Sequence, residues 1–161
     1  MFNLKAEFYL KIIFLFSFIA LISAFFIEYI LGHQPCNLCL IERIPYGLSI
    51  MIIMAIFLIR KNQKFLFMLL ILTFIFSFAI SFYHFGIEQG FFQESSVCGV
   101  KSSTEIVTKE DLLKQLSEKT ISCKDVTFRV FGLSLTRINI VISLLFITTL
   151  LKIFKKYEKN K

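Results

Sequence analysis

The sequence predicts an all-α membrane protein, a four-helix transmembrane bundle with one long polar loop, and three observations carry that prediction. Hydrophobic residues fill 57% of the 161 positions, with 21 Phe and no Trp, against an apolar share of roughly half in a soluble domain. Four apolar stretches approach the ~20 residues that a helix rising about 1.5 Å per residue needs to cross about 30 Å of hydrocarbon. Extramembrane polar sequence of any length gathers in one place, between the third and fourth stretches. A soluble globule is excluded.

The stretches run over about residues 12–31, 38–59, 65–85 and 130–151, and the whole chain, 1–161, reads as one transmembrane domain. The loops between helices one and two (about 32–37) and three and four (about 86–129) then share one membrane face. Lys5 and Lys11 before the first stretch suggest a cleaved signal peptide. That stretch is longer than the seven to fifteen residues of a signal core, and the segment Leu31–Pro35 offers no Ala-x-Ala site, so a retained helix is expected.

Orientation follows from the cations. The amino end, the 60–64 link and the tail from Lys152 carry ten cations against Glu7 and Glu158, a net of +8. The opposite face carries eight cations against nine acids, a net of −1, and the two faces sum to the chain's +7. Positive loops stay cytoplasmic, so both termini are expected there. Both cysteine-bearing loops then face outward, where disulfides persist. The basic balance is thus a topology signal, and nucleic-acid binding is not expected.

Within the long loop, Thr108, Lys109, Glu110 and Asp111 resemble a capping box, and Leu112, Leu113 and Leu116 form a stripe opposite Lys114, Glu118 and Lys119. A short surface helix over about 109–118 is predicted, on the membrane or within a solvated linker.

The chemistry lies in four cysteines. Cys36 and Cys39 form a CxxC pair at the mouth of the second helix, and Cys98 and Cys123 sit in the long loop. A thiol pair two residues apart closes into a readily exchanged disulfide. A helix starting near Cys36 would favour a thiolate through its dipole, and Arg43, four residues beyond Cys39, would place a guanidinium beside the sulfur. Pro45 predicts a bend near Ile41, because a proline removes a backbone hydrogen bond. A structural Cys36–Cys39 bridge would constrain little, since the loop it closes is so short. Zinc would want a second close pair or histidine ligands, and neither His33 nor His84 shows ligand spacing; no metal is expected. For Cys98 and Cys123 a static loop staple and an exchanging pair both remain open.

Taken together, Pro35-Cys36-x-x-Cys39 followed by Arg43, the segment Tyr83-His84-Phe85-Gly86-Ile87-Glu88, the Cys98 and Cys123 spacing, and Phe131-Gly132-Leu133-Ser134-Leu135 resemble the disulfide bond formation protein B (DsbB) family of bacterial inner-membrane quinone reductases. The likeness covers nearly the whole chain. It departs at Thr136 and Arg137, where the family often has an aromatic residue and a proline, and at Glu28, where it has Gln or similar.

The resemblance implies an enzyme, a protein-disulfide:quinone oxidoreductase. It would reoxidise a periplasmic thioredoxin-like thiol oxidase of the DsbA type, pass the electrons to membrane quinone (ubiquinone or menaquinone), and so support disulfide formation in exported proteins. Cys98 would engage the partner and Cys123 would be its disulfide mate. Cys36 and Cys39 would be the pair reoxidised by quinone, with Cys39 against the ring and Arg43 and His84 near its head group. A reductase of the vitamin K epoxide type places its CxxC late in the chain, whereas here it opens the second helix. A small membrane scaffold with structural disulfides is the other alternative.

Overall fold

The computed structural model describes residues 4–59, 62–94, 98, 122–124, 129–130 and 132–159. Its elements in order are α1 (Leu4–Tyr29), α2 (Asn37–Ile41), α3 (Ile44–Leu58), α4 (Gln63–Glu88), β1 (Arg129–Val130), β2 (Leu133–Ser134) and α5 (Leu135–Lys159). Four helical segments are long and apolar enough to cross a membrane: Ala6–Tyr29, Asn37–Leu58, Gln63–Glu88 and Leu135–Lys156. The chain is an all-α membrane protein, with a two-residue ribbon as its sole sheet among the described residues.

The second crossing is broken where Pro45 stands. Lacking an N–H, Pro45 cannot bond the Ile41 carbonyl one turn back, so α2 stops at Ile41 and α3 begins at Ile44 with the proline in its first turn. Between them the Arg43 N–H reaches back only three residues, to Leu40 O at 3.1 Å. The predicted bend is therefore a full interruption, and it leaves Glu42 and Arg43 at the joint.

α4 ends in a Schellman turn. Gly90 adopts φ +78°, which a residue without Cβ does at little cost, so its N–H meets Ile87 O at 3.0 Å and that of Phe91 meets Gly86 O at 2.8 Å. The fourth crossing starts later than the apolar run predicts, at Leu135 where about 130 was expected. Gly132 at φ +80° turns the chain so that Arg129 pairs with Ser134 and Val130 with Leu133. Ser134 then caps α5, its Oγ accepting the Arg137 N–H at 3.4 Å. The predicted surface helix over 109–118 lies outside the described residues.

α4 packs against α5 and α3, and α1 packs against α3. Leu10, Ile13, Ile53, Leu70, Phe74 and Leu150 form the central core, and Phe146 sets its ring edge-on to both Phe16 (5.4 Å) and Phe74 (5.0 Å). Hydrocarbon surrounds a membrane bundle, so burial alone does not drive its helices together, and small polar contacts contribute. Ser49 donates to Ser17 across α3 and α1 at 3.0 Å, and Ser143 to Ser77 across α5 and α4 at 3.1 Å. A second, smaller cluster holds Cys36, Leu38, Ile87, Cys98 and Cys123, so all four cysteines lie at one end of the bundle.

A Cβ at Gly86 would stand 2.0 Å from the ring of Phe92, which stacks on Tyr83 at 5.7 Å. Gly86→Ala should therefore displace Phe92 and lose about 1 kcal/mol of ring contact, partly offset by the better helix propensity of Ala. Thermal melts in detergent should show the loss in the wild-type background. In a Phe92→Ala background the same substitution should be neutral or stabilising, and an undiminished loss there would mean that Phe92 is not the obstacle.

Candidate redox site

Cys36 caps the amino end of α2. Its extended backbone (φ −72°, ψ 166°) turns the side chain back over the first turn, where Sγ accepts the Cys39 N–H at 3.3 Å. The CxxC spacing places the two thiol sulfurs 2.7 Å apart in hydrogen-bonding contact. Cys36 lies just before the apolar span. The hydrogen bond from Cys39 and the neighbouring His84 together stabilise its thiolate more than burial penalises it, lowering its pKa from 9.0 to about 5.

His84, one turn before the end of α4, is almost fully buried. Its Nε2 faces Cys36 Sγ at 3.7 Å, and its Nδ1 lies 2.9 Å from Glu42 Oε1 at the α2–α3 joint. The other Glu42 oxygen accepts from Asn139 Nδ2 of α5 at 3.2 Å, and that amide also donates to Ser81 Oγ at 2.7 Å. Tyr46 donates to Asn139 Oδ1. Thr136 Oγ1 stands 3.3 Å from His84 Nδ1 and donates to Glu88 Oε1 at 2.7 Å. A buried carboxylate is costly unless it is paired and hydrogen-bonded, and here partners come from α4 and α5.

Cys39 packs against the same cluster as Cys36 and also lines a cavity of about 250 Å³ between α1, α3 and α5. Apolar side chains such as Phe16, Leu21 and Ile27 line much of it, while Cys39, Glu42, Arg43 and Asn139 supply its polar end. Arg43 points its guanidinium at Glu28 of α1, Nη1 to Oε2 at 2.5 Å, and covers the ring of Phe25 at 5.4 Å. The expected four-residue helical step from Cys39 to Arg43 does not form, because the helix breaks between them. Both residues nevertheless line the same cavity. His84 is not among its lining residues and sits behind Cys36 and Glu42.

Cys98 and Cys123 are joined as a disulfide, 25 residues apart in sequence, with Cα atoms 5.6 Å apart. Both are buried and pack in one cluster with Cys36 and Ile87. Glu94 Oε1 accepts from Ser122 Oγ and from the Lys124 N–H, tying the two ends of the long loop beside the bridge.

Cys36, Cys39 and His84 also place three potential metal-ligand atoms within 4.8 Å of one another, a grouping that sequence spacing did not signal. The 2.7 Å between the sulfurs is well below the ~3.8 Å that two thiolates at about 2.3 Å from a tetrahedral zinc would keep.

Glu42, Asn139 and Tyr46 were not singled out from the sequence, and Thr136 was marked only as a departure from the family's common pattern. A signal existed for two of them. An acid and an amide inside apolar spans are expensive in a membrane and therefore mark a site. The partners they would meet, 42 to 97 residues away in sequence, were not readable.

The model of the family "Disulfide bond formation protein DsbB" matches residues 6–153. The chain belongs to the DsbB family. An uncharacterised protein of Rickettsia prowazekii (strain Madrid E) is 32% identical to it over 130 residues, covering 80% of this chain and 76% of that one. No solved structure matches. Family membership assigns the chain a thiol oxidoreductase role in disulfide formation at a membrane.

Thiolate absorbance in the reduced protein should reveal one thiol titrating near pH 5, well below the ~8.5 of a free cysteine. The signal should be lost as pH falls through that midpoint and vanish in Cys36→Ser. Cys39→Ala removes the largest stabilising contact and should move the midpoint up. If no thiolate forms below pH 7, the contact geometry around Cys36 does not act as described.

Proposed function

We propose that the protein reoxidises a thioredoxin-like thiol oxidase of the DsbA type and delivers the electrons to membrane quinone, acting from the outer face of a bacterial inner membrane with both termini in the cytoplasm. One observation carries this reading: Cys36 and Cys39 pack in the same cluster as the Cys98–Cys123 disulfide, and Cys39 also lines an apolar cavity with a polar end. The CxxC unit thus lies between a protein disulfide and a cavity suited to an apolar group. The +8 against −1 charge split supports the orientation.

The residues divide the work. A partner thiolate would attack Cys98, release Cys123, and form a mixed disulfide that a second partner thiol resolves. The reduced loop pair would then exchange with the Cys36–Cys39 disulfide, and Cys39 would stand at the exit toward the cavity. A quinone bound there would supply the two-electron acceptor that regenerates the disulfide. The cavity suits such a group, having an apolar length and a cation, Arg43, at its polar end, where a developing oxyanion would be stabilised. His84 would serve this centre through Cys36, and any contact with the head group belongs to the same proposal.

The direct test combines purified protein, a decylquinone and a reduced thioredoxin-like substrate, followed by quinone absorbance. Catalytic loss of quinone absorbance supports the reading, whereas a Cys98–Cys123 bridge that stays inert supports a stapled scaffold. Within that assay Arg43→Met should reduce turnover by about 10²-fold, the usual loss when one oxyanion donor is removed, and Arg43→Lys by less, since charge remains but the planar fork is lost. Wild-type turnover in Arg43→Met would make Arg43 only an interfacial cation.

In Cys123→Ala, the Cys98 thiol should displace thionitrobenzoate from a partner that lacks its second cysteine and carries its first as a mixed disulfide with that group, and hold the partner as a stable mixed disulfide visible on non-reducing gels. Replacing Cys98 should abolish that adduct. Equal trapping by both variants would reassign the attacked sulfur.

A further inference from the structure

The polar cluster around His84 constrains which ring nitrogen carries a proton. Nδ1 faces two groups, Glu42 Oε1 at 2.9 Å and Thr136 Oγ1 at 3.3 Å. An ionised carboxylate only accepts hydrogen bonds, and the single hydroxyl proton of Thr136 is committed to Glu88 Oε1 at 2.7 Å. Both neighbours of Nδ1 are therefore acceptors, and Nδ1 must be the N–H. The second nitrogen, Nε2, faces Cys36 Sγ at 3.7 Å and is the one free to gain or lose a proton. Glu42 is itself held by the Asn139 amide, which is anchored on Ser81 and Tyr46. The order runs Asn139, Glu42, His84, Cys36, across α5, the α2–α3 joint, α4 and the cap of α2.

We propose that Glu42 and Thr136 are positioning residues that hold His84 as the proton acceptor of Cys36, and that Glu42 balances the charge His84 gains. The assignment rests on the dithiol-to-quinone reading above and deepens it. In the reduced pair the Cys36 S–H bond is already broken and its proton is held on His84 Nε2. On reoxidation the sulfur electron pair so freed forms the Cys36–Cys39 bond. The oxidation releases two electrons through Cys39 and two protons, one from the Cys39 thiol and one from His84 Nε2, which returns the ring to its Nδ1–H form; a quinone in the cavity would accept both electrons and both protons. In the reverse sense, when the loop pair reduces the Cys36–Cys39 disulfide, the two loop thiols give up two protons, of which one goes to the Cys39 sulfur and the other to His84 Nε2, leaving Cys36 as a thiolate. The arrangement follows the logic of an activated thiol, with nucleophile, base and orienting carboxylate in sequence.

The charged and titratable groups around His84 are few. Cys36 and Cys39 approach from α2, Glu42 from the joint, Tyr46 from α3, Thr136 and Asn139 from α5, and Glu88 follows one turn on in α4. Arg43 at the joint is engaged by Glu28, and Arg137 lies over the ring of Phe85, 5.2 Å from its centre.

The sign of one substitution discriminates. A negative charge near Cys36 acting directly would oppose the thiolate, so its removal in Glu42→Gln would ease ionisation. Acting through His84, the same substitution weakens the base and makes ionisation harder. Thiolate absorbance of the reduced protein should therefore show the Cys36 midpoint rising by about one to two pH units in Glu42→Gln, by less in Thr136→Val, and hardly at all in Glu42→Asp. Adding Glu42→Gln to His84→Gln should change nothing further. A downward shift in Glu42→Gln, or shifts that add in the double variant, would overturn the proposal. A measurement on the unaltered protein guards against variants that fail to fold. Nitrogen-15 spectra of the histidines, with His84 distinguished from His33 by its loss in His84→Gln, should show His84 protonated at Nδ1 when Cys36 and Cys39 are disulfide-bonded and at both nitrogens when Cys36 is a thiolate. A neutral ring protonated only at Nε2 in either state would overturn it. Neither readout involves quinone, so failure here and failure of the quinone assay are separable.

Discussion

Everything at the cysteine end of this bundle is arranged around one contact, the Glu42 carboxylate against the His84 imidazole. A carboxylate is nearly buried in a protein whose surroundings are mostly apolar, and such a group persists only if its oxygens are occupied. One oxygen meets His84 of α4 and the other meets Asn139 of α5. Satisfying that one side chain therefore draws the α2–α3 joint against two other helices. Cys36 is carried with it, because Glu42 stands only six residues beyond Cys36.

The break in the second crossing makes this possible. An unbroken helix from Asn37 to Leu58 would carry Glu42 and Arg43 around one cylinder, three and four residues past Cys39. Pro45 interrupts the ladder, and at the joint Glu42 turns inward to His84 while Arg43 reaches sideways to Glu28 of α1. The two thiols stay together: both pack in the disulfide cluster, and Cys39, from the first turn, also borders the cavity. One covalent unit thus reaches two environments without any large movement of the helices.

The elements readable from sequence were those whose cause is local. Runs of about twenty apolar residues had to be helical because no backbone polar group can be left unpaired in hydrocarbon, and Pro45 announced its own bend. Local patterning misled at residues 130–134. The apolar residues there continue the fourth run, yet Gly132 at positive φ folds them into a ribbon before the helix begins. The four cysteines, Arg43 and His84 were visible as residue types suited to redox chemistry. The polar partners of His84 were not marked as such, since each is unremarkable within its own helix and acquires meaning only from a neighbour far along the chain.

Composition and charge thus determined by themselves a four-helix membrane protein, and the motifs placed it in a family with thiol chemistry. Solvent explains why: hydrocarbon demands apolar helices of a set length, and a CxxC pair closes within one turn of chain. Only the tertiary structure decided that both CxxC cysteines pack with the loop disulfide and that Cys39 also borders the cavity. It also decided that Arg43 meets Glu28, and that Glu42, Asn139 and Thr136 surround His84. Those outcomes depend on how four helices rotate against one another, which is set by the pairing of a few buried polar groups across helices and leaves no periodic trace in any single one of them.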